Sequence, residues 1–333
     1  MVLGPSITFV THEREADSGQ EPGHVRGAGI NAYGDAVQRL ELPEPEISDP
    51  RQLLIAVHAT GVGNWDDIVR TGGWDVGRVP PMALGVEAAG AVRAVGAGVS
   101  RFRVGDEVLT HCVPLQHQGA WAEVFVAPED QVARKPPGML FPLAGLFPVP
   151  ALTAHQVLSG AVALQRGEKI LIHGAGGVTG GVLVAVAAEM GGWVIATAGP
   201  ASAERVRGYG ASVMLDYHQP DWPNEVRRLT GGGVPVAVNT VRGAAVSLMP
   251  LVMDGGRLGT ITSDAPPAER HIRVSNAYVS PNGPILEQLA ARFAQRGMTI
   301  PVAAVHSLAE AGRALSEAVS GRAAGGVVID PRR

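Results

Sequence analysis

The sequence predicts an α/β fold in which a doubly wound parallel sheet is joined to a second, β-rich unit. Three observations carry this. The middle of the chain alternates short apolar runs with helix-length segments, and the first third carries short strand-like runs separated by Gly, Pro and Asp. A glycine loop, Gly174-Ala175-Gly176-Gly177-Val178-Thr179-Gly180, stands between an apolar strand and an apolar helix. With 333 residues, 46% apolar and 17% charged, the chain is long enough for about two domains, each with its own core, and disorder is excluded.

Residues 1–24 end in the polar run THEREADSGQEPGH and read as an N-terminal extension, either a tail or sequence upstream of a start near Val25. From 25 to 147 the runs LLIAVHA (53–59), AGAVRAV (89–95), DEVLT (106–110) and WAEVFVA (121–127) predict a small all-β unit. From 148 to 275 come KILIHGA (169–175), a helix over 178–190, WVIAT (193–197), a helix near 202–208 and SVMLD (212–216). A helix near 223–229, PVAVNTV (235–241), a helix near 244–252 and RLGTIT (257–262) follow. Strands this short and apolar suit a parallel sheet covered on both faces. Over 276–333 the amphipathic helix PILEQLAARFAQRG, the run VAAVHSL, a second helix and the strand GGVVID are expected to return to the first unit.

Lys and Arg number 27 against 31 Asp and Glu, a formal charge of −4, so no basic surplus exists for nucleic acid or anionic lipid. The single cysteine, Cys112, fits a reducing cytoplasm and cannot build a Cys-rich zinc site. Glycines and Glu189 interrupt the apolar stretch from Val178 to Ile195, and the N-terminus has no basic n-region or small-residue cleavage site. A cytoplasmic protein acting on a small molecule is expected.

The glycine loop has a physical purpose. Glycines let the strand turn sharply, admit a pyrophosphate close to the backbone and let the helix pack on the strand, while the helix amides face the anion. The strict G-x-G-x-x-G pattern wants glycine at 179, where this chain has Thr179 and places Gly180 one position later. The strand before, the helix after and a second strand ending at Thr197 make a dinucleotide site the expected reading. An NAD-selective site carries Asp or Glu after that second strand, whereas the chain reads Thr197-Ala198-Gly199-Pro200-Ala201-Ser202. NADPH is therefore expected, with Thr197 counted among the cofactor positions and with Ser202, and Arg205 or Arg207, as candidates for its 2′-phosphate.

Taken in order, LPEPE (42–46), HATGVGNWDDIVRTG (58–72), LGVEAAGAVRAVGAGVSRFRVGDEV (84–108), GAWAEVFVAPEDQVARKP (119–136), ALTAHQVL (151–158), the glycine loop, DGGRLGTIT (254–262) and GRAAGGVVI (321–329) resemble the medium-chain dehydrogenase/reductase superfamily. The likeness is to its zinc-free quinone oxidoreductase and enoyl reductase branch and covers residues 25–333. It implies a GroES-like substrate domain over 25–147 and 276–333, a Rossmann-type domain over 148–275, and a homodimer. Zinc-dependent relatives carry Cys and Gly-His-Glu where this chain has Gly63-Asn64-Trp65-Asp66 and Gly85-Val86-Glu87, so no metal is expected.

By the same resemblance Asn64 and Asp66 are the catalytic candidates, Asp66 serving either to order its loop or to donate a proton, and Thr153 helps to hold the cofactor. Asn239, Thr240, Ile261 and Thr262 close sheet strands at the carboxyl edge and are expected to meet the nicotinamide. Gly325 counts among the cofactor positions, but Gly326 stands where relatives often have lysine, so any contact of that lysine is lost. Trp65 and His117 are candidates for the substrate pocket, with His111, expected on the same loop between strands as His117, and with Trp74 and Trp121 considered beside them. Two functions stay open: an NADPH-dependent reductase of quinones or of carbonyl-conjugated alkenes, and a non-catalytic NADPH-binding module.

Overall fold

The computed structural model describes residues 23–333, so most of the expected extension, residues 1–22, lies outside the described residues. The first unit contains β1 (His24–Ile30), β2 (Gln38–Pro43), β3 (Gln52–Val62), α1 (Asn64–Arg70), β4 (Met82–Ala83), β5 (Glu87–Val95), β6 (Glu107–His111), β7 (Val124–Pro128) and β8 (Val132–Arg134). Strand β3 organises it. Within its eleven residues it pairs with β5 on one side and with β7 on the other. Apolar side chains from alternate positions of these strands, among them Leu53, Ile55, Val57, Val108 and Phe125, close one core.

Two short helices, α2 (Phe141–Gly145) and α3 (Pro148–Gln156), lead to the second unit: β9 (Lys169–His173), α4 (Val178–Glu189), β10 (Trp193–Thr197), α5 (Pro200–Gly208), β11 (Val213–Leu215), α6 (Trp222–Thr230), β12 (Val234–Asn239), α7 (Ala245–Leu248), β13 (Val252–Thr260) and β14 (Arg273–Asn276). The strand order is β11-β10-β9-β12-β13-β14 and every pairing is parallel. This is the doubly wound arrangement that the alternation predicts. Helix α4 buries Val182, Leu183, Val184 and Val186, and at about 2 kcal/mol per aliphatic side chain this burial anchors the glycine loop.

The chain then runs through α8 (Gly283–Gln295), β15 (Val302–His306), α9 (Ala311–Ser320) and β16 (Gly326–Ile329). Strand β16 pairs antiparallel with β3, so the C-terminal segment does return to the first sheet.

Three expectations shift. The strand expected over 121–127 begins at Val124, because Trp121 turns inward and is wholly buried. The helix expected over 244–252 stops at Leu248, passes into a 3₁₀ turn and yields at Val252 to β13. His111, expected on a loop, ends β6 with no exposure.

Candidate functional site

The order of the parallel sheet reverses at β9, whose neighbours β10 and β12 lie on opposite sides, and ligands of such sheets bind at this point outside the strands' carboxyl ends. The glycine loop begins there. Gly174 has φ +88°, a backbone shape that an L side chain resists, and a Cβ on it would stand 2.4 Å from Thr240 Oγ1. A Cβ on Gly180 would stand 2.2 Å from the Gly174 carbonyl oxygen, so Gly180, rather than position 179, supplies the close approach of helix to strand. Val178 and Thr179 form the first turn of α4, and Gly177 caps it, exposed, with φ −74°. The free amides of that turn face outward around Gly177.

Gly176 lies against Ser202, whose Oγ would be 2.9 Å from a Cβ at 176. Ser202 is in the first turn of α5, whose N-cap is Gly199. Arg205 donates to the Gly176 carbonyl at 2.8 Å, so this guanidinium braces the glycine loop. Thr197, counted among the cofactor positions, has its hydroxyl engaged within the protein. Thr197 is fully buried, accepts from the Gly174 amide at 3.1 Å and lies 2.8 Å from His173 Nδ1, so it pins the loop from behind. Two neighbours escaped sequence reasoning: the His218 and Tyr217 rings stand 3.1 and 3.7 Å from a Cβ built on Gly199, and Asp216 holds His218 at 2.7 Å. They lie beyond β11, and only its pairing with β10 brings them to this edge.

On the other flank Asn239 is buried and directs Nδ2 to the Val241 carbonyl at 2.8 Å and to the Thr262 hydroxyl at 3.2 Å. Asp264, which no motif singles out, gathers this edge. It accepts from Thr260 at 2.6 Å, from Thr262 at 2.7 Å and from the Ala245 amide at 3.4 Å. Partial burial works against its charge, but these hydrogen bonds outweigh it and hold the carboxyl below its usual range. Thr240 donates to the His173 carbonyl at 2.9 Å, and the Ile261 amide donates to Asn239 at 3.2 Å. Asn239 and Thr262 are thus joined through their side chains and Ile261 through its backbone, while the Thr240 hydroxyl is committed to the His173 and Gly174 carbonyls.

The loop before α1 holds the remaining candidates. Asn64 and Trp65 are half-buried, and the Trp65 indole folds back over Gly63, where a Cβ would stand 2.4 Å from the ring. The indole Nε1 is buried without a hydrogen-bond partner, as is His117 Nε2. Asp66 has no exposed surface and accepts from the Gly63 amide at 2.9 Å, so it orders the loop, and direct proton donation from an open position is not what the geometry provides. Burial pushes its carboxyl up to about 8, against the pull of the Gly63 and Gly85 amides.

Trp121 is excluded from any pocket: its indole packs against Gly85 and donates to the Gly61 carbonyl at 3.4 Å. Thr153 is buried midway along α3. Gly325 lies beside the Pro301 backbone ahead of β16, away from the glycine loop's own contacts. Glu87 is buried and accepts from the Val149 amide at 2.8 Å, which ties β5 to the start of α3.

Residues 49–137 match the family model "Alcohol dehydrogenase GroES-like domain" and residues 209–329 match "Zinc-binding dehydrogenase", together more than half of the chain. The chain belongs to the medium-chain dehydrogenase/reductase superfamily. Quinone oxidoreductase of Sus scrofa is 29% identical to this medium-chain dehydrogenase/reductase over 299 residues, covering 85% of the chain and 90% of the relative. Erythronolide synthase EryA2 of Saccharopolyspora erythraea is 36% identical over 208 residues, which make up 60% of this chain but 6% of the synthase.

Among solved structures, an NAD-dependent alcohol dehydrogenase superposes with a TM-score of 0.81 at 27% identity, covering 92% of this chain and 99% of the other. Mycobacterial Rv1454c complexed with NADPH superposes with a TM-score of 0.77 at 27% identity, covering 92% and 100%. No helix among the described residues is long and apolar enough to cross a membrane.

Proposed function

We propose that this chain is an NADPH-dependent reductase that delivers hydride, without zinc, to a quinone or to a carbon–carbon double bond conjugated to a carbonyl. The observation that carries the reading is the exposed, glycine-capped N-terminus of α4 at the point where the sheet order reverses. The residues present fit a dinucleotide: Gly174, Gly176 and Gly177 leave room for a pyrophosphate. Ser202, Tyr217 and His218 border the start of α5, with no carboxylate at 197–202 to repel a 2′-phosphate.

The nicotinamide, when bound, supplies the hydride. The chain's part is to position and polarise the acceptor. The Trp65 indole N–H lacks an acceptor within the protein and suits a quinone or enone oxygen on which negative charge develops. The loops 63–66 and 85–87 hold no thiolate or imidazole, and their two carboxylates, Asp66 and Glu87, are engaged with backbone amides. Similarity to quinone oxidoreductase along nearly its whole length supports the acceptor class.

The test mixes the protein with NADPH or NADH deuterated at the transferred position and a panel of quinones and α,β-unsaturated ketones, aldehydes and thioesters. Faster oxidation of NADPH is expected. Deuterium on a product carbon identifies an alkene reductase, and oxidation with quinones alone a quinone reductase. If no acceptor oxidises either cofactor, the reading is wrong and the non-catalytic NADPH-binding module takes its place.

Strand β14 ends the six-stranded sheet with one edge unpaired among the described residues. A homodimer through this edge is proposed, and light scattering should give twice the chain's 34.5 kDa. A monomer mass would sink this assignment.

A further inference from the structure

Beyond Leu215 the chain leaves β11 and carries Asp216, Tyr217 and His218 to the start of α5, because β11 pairs in parallel with β10 and ends level with it at Thr197. The His218 ring comes within 3.1 Å of a Cβ built on Gly199, the N-cap of α5. From the other side, Ser202 Oγ and Ala198 Cβ stand 2.9 and 3.6 Å from a Cβ built on Gly176. The short stretch 198–202 is thus all that separates the glycine loop from His218. In a sheet of this kind the ribose beside the pyrophosphate sits at the end of the second strand, here β10.

His218 is held in one orientation. Its Nδ1 is 2.7 Å from Asp216 Oδ1, its backbone amide donates to the same oxygen at 3.0 Å, and its ring lies against Tyr217 with centroids 4.1 Å apart. A carboxylate can only accept, so Nδ1 carries a hydrogen and Nε2 is left for a ligand. Nε2 has no hydrogen-bond partner among the described residues, and the ring is more than half exposed. Arg205, which the spacing offers as the cation here, is engaged elsewhere: it donates to the Gly176 carbonyl at 2.8 Å and lies over the Tyr209 ring. The remaining charged and titratable groups around the recess are few. The loop 174–180 has none, α5 adds Glu204 and Arg207, His173 at the end of β9 is turned to Thr197, and Asp221 is bonded to Asn224.

We propose that the Asp216–His218 pair makes cofactor choice depend on pH, His218 being the residue that discriminates NADPH from NADH and Asp216 the residue that positions it. With a proton on Nε2 the ring is a cationic donor aimed at the ribose, and it offsets the Asp216 charge, so a 2′-phosphate is attracted. Without that proton Nε2 is a lone pair and the Asp216 carboxylate stands uncompensated, so the phosphate is opposed. The hydroxyl that NADH carries at the same place is uncharged and responds far less. A phosphate beside Nε2 favours the imidazolium, so NADPH binding draws a proton from solvent onto His218. This inference rests on the dinucleotide reading of the glycine loop, and not on which acceptor is reduced.

The test measures dissociation constants of NADPH and NADH for the full chain by cofactor fluorescence at about pH 6.5 and about pH 8, a range in which imidazoles lose their proton. NADPH affinity of the wild type should fall about tenfold across this range, the worth of one charge-assisted hydrogen bond, and NADH affinity should change less than about twofold. Ionisation of the phosphate itself runs the other way, since it gains charge as the pH rises, and cannot produce this fall. His218→Gln should bind NADPH about tenfold more weakly at the lower pH and show no further fall, whereas His218→Lys, which keeps its charge, should hold wild-type affinity at both. Calorimetry in buffers of different ionisation enthalpy should show proton uptake with NADPH in the wild type and its loss in both variants. A wild-type pH profile for NADPH in His218→Gln, or equal losses of NADPH and NADH, overturns the proposal and leaves the dinucleotide reading standing. Binding of neither cofactor to the wild type overturns both. The expected binding pattern without reduction of any acceptor supports the pair's role and removes the reductase.

Discussion

Gly177→Glu should abolish useful NADPH binding while leaving the fold intact. Gly177 is exposed at the N-cap of α4, its φ of −74° suits any residue, and the nearest atom to a Cβ there is the Gly174 carbonyl oxygen at 3.6 Å. A side chain therefore fits without strain, and a surface change of this kind alters stability by about 0.5 kcal/mol or less. A carboxylate at this point faces the place where the helix amides receive a pyrophosphate, and it replaces attraction with like-charge repulsion. The dissociation constant for NADPH is expected to rise at least about a hundredfold, or about 2.7 kcal/mol. Titration of cofactor fluorescence beside a thermal melt checks both halves. Gly180→Ala is the contrast, because its Cβ meets backbone at 2.2 Å and should lower the melting temperature as well. Unchanged NADPH affinity in Gly177→Glu would show that the nucleotide lies elsewhere.

Asp264→Ala is expected to destabilise the protein by about 3 kcal/mol and to weaken NADPH binding about tenfold. Its carboxylate receives the hydroxyls of Thr260 and Thr262 at 2.6 and 2.7 Å and faces the Asn239 amide at 3.4 Å, so truncation leaves three side chains at this edge to find new partners. Hydrogen bonds to a charged group contribute about 1.5–3 kcal/mol each, and water entering this edge recovers part of that. Since folding lowers the Asp264 pKa from 3.8, its stabilisation is present above that value and is lost as the pH falls through the lowered one. Denaturant unfolding at pH 7 should separate wild type and variant clearly, and the gap should close in acid. An equal gap at both pH values would mean that the charge is not what stabilises the edge. Asp264→Asn, which keeps the shape and one acceptor, should fall between the two.

The alternation of strands and helices from Lys169 to Thr260, the glycine loop and the C-terminal return of β16 to β3 were all legible in the chain as written. Periodicity and glycine placement are local properties, and a strand buried on both faces must be apolar wherever it finally lies. The missing acid after Thr197 and the missing thiol and imidazole at 63–66 were legible for the same reason. Sequence spacing made position 179 look decisive, yet it is the 2.2 Å approach of Gly180 to the Gly174 carbonyl that sets how closely α4 packs.

What only the tertiary structure decided is which polar groups face one another. Thr197 reads as a ligand contact until β9 and β10 are aligned, and then its hydroxyl points back at Gly174. Asp264 carries no motif, and its importance comes from strand ends, Asn239 and Thr260, that parallel pairing brings level. Glu87 and His111 are far apart in the chain and stand opposite each other because β5 and β6 pair antiparallel. Hydrophobic burial depends on local pattern and so can be read in one dimension. A hydrogen bond depends on the direction and distance between two atoms, which exist only once the strands have taken their register.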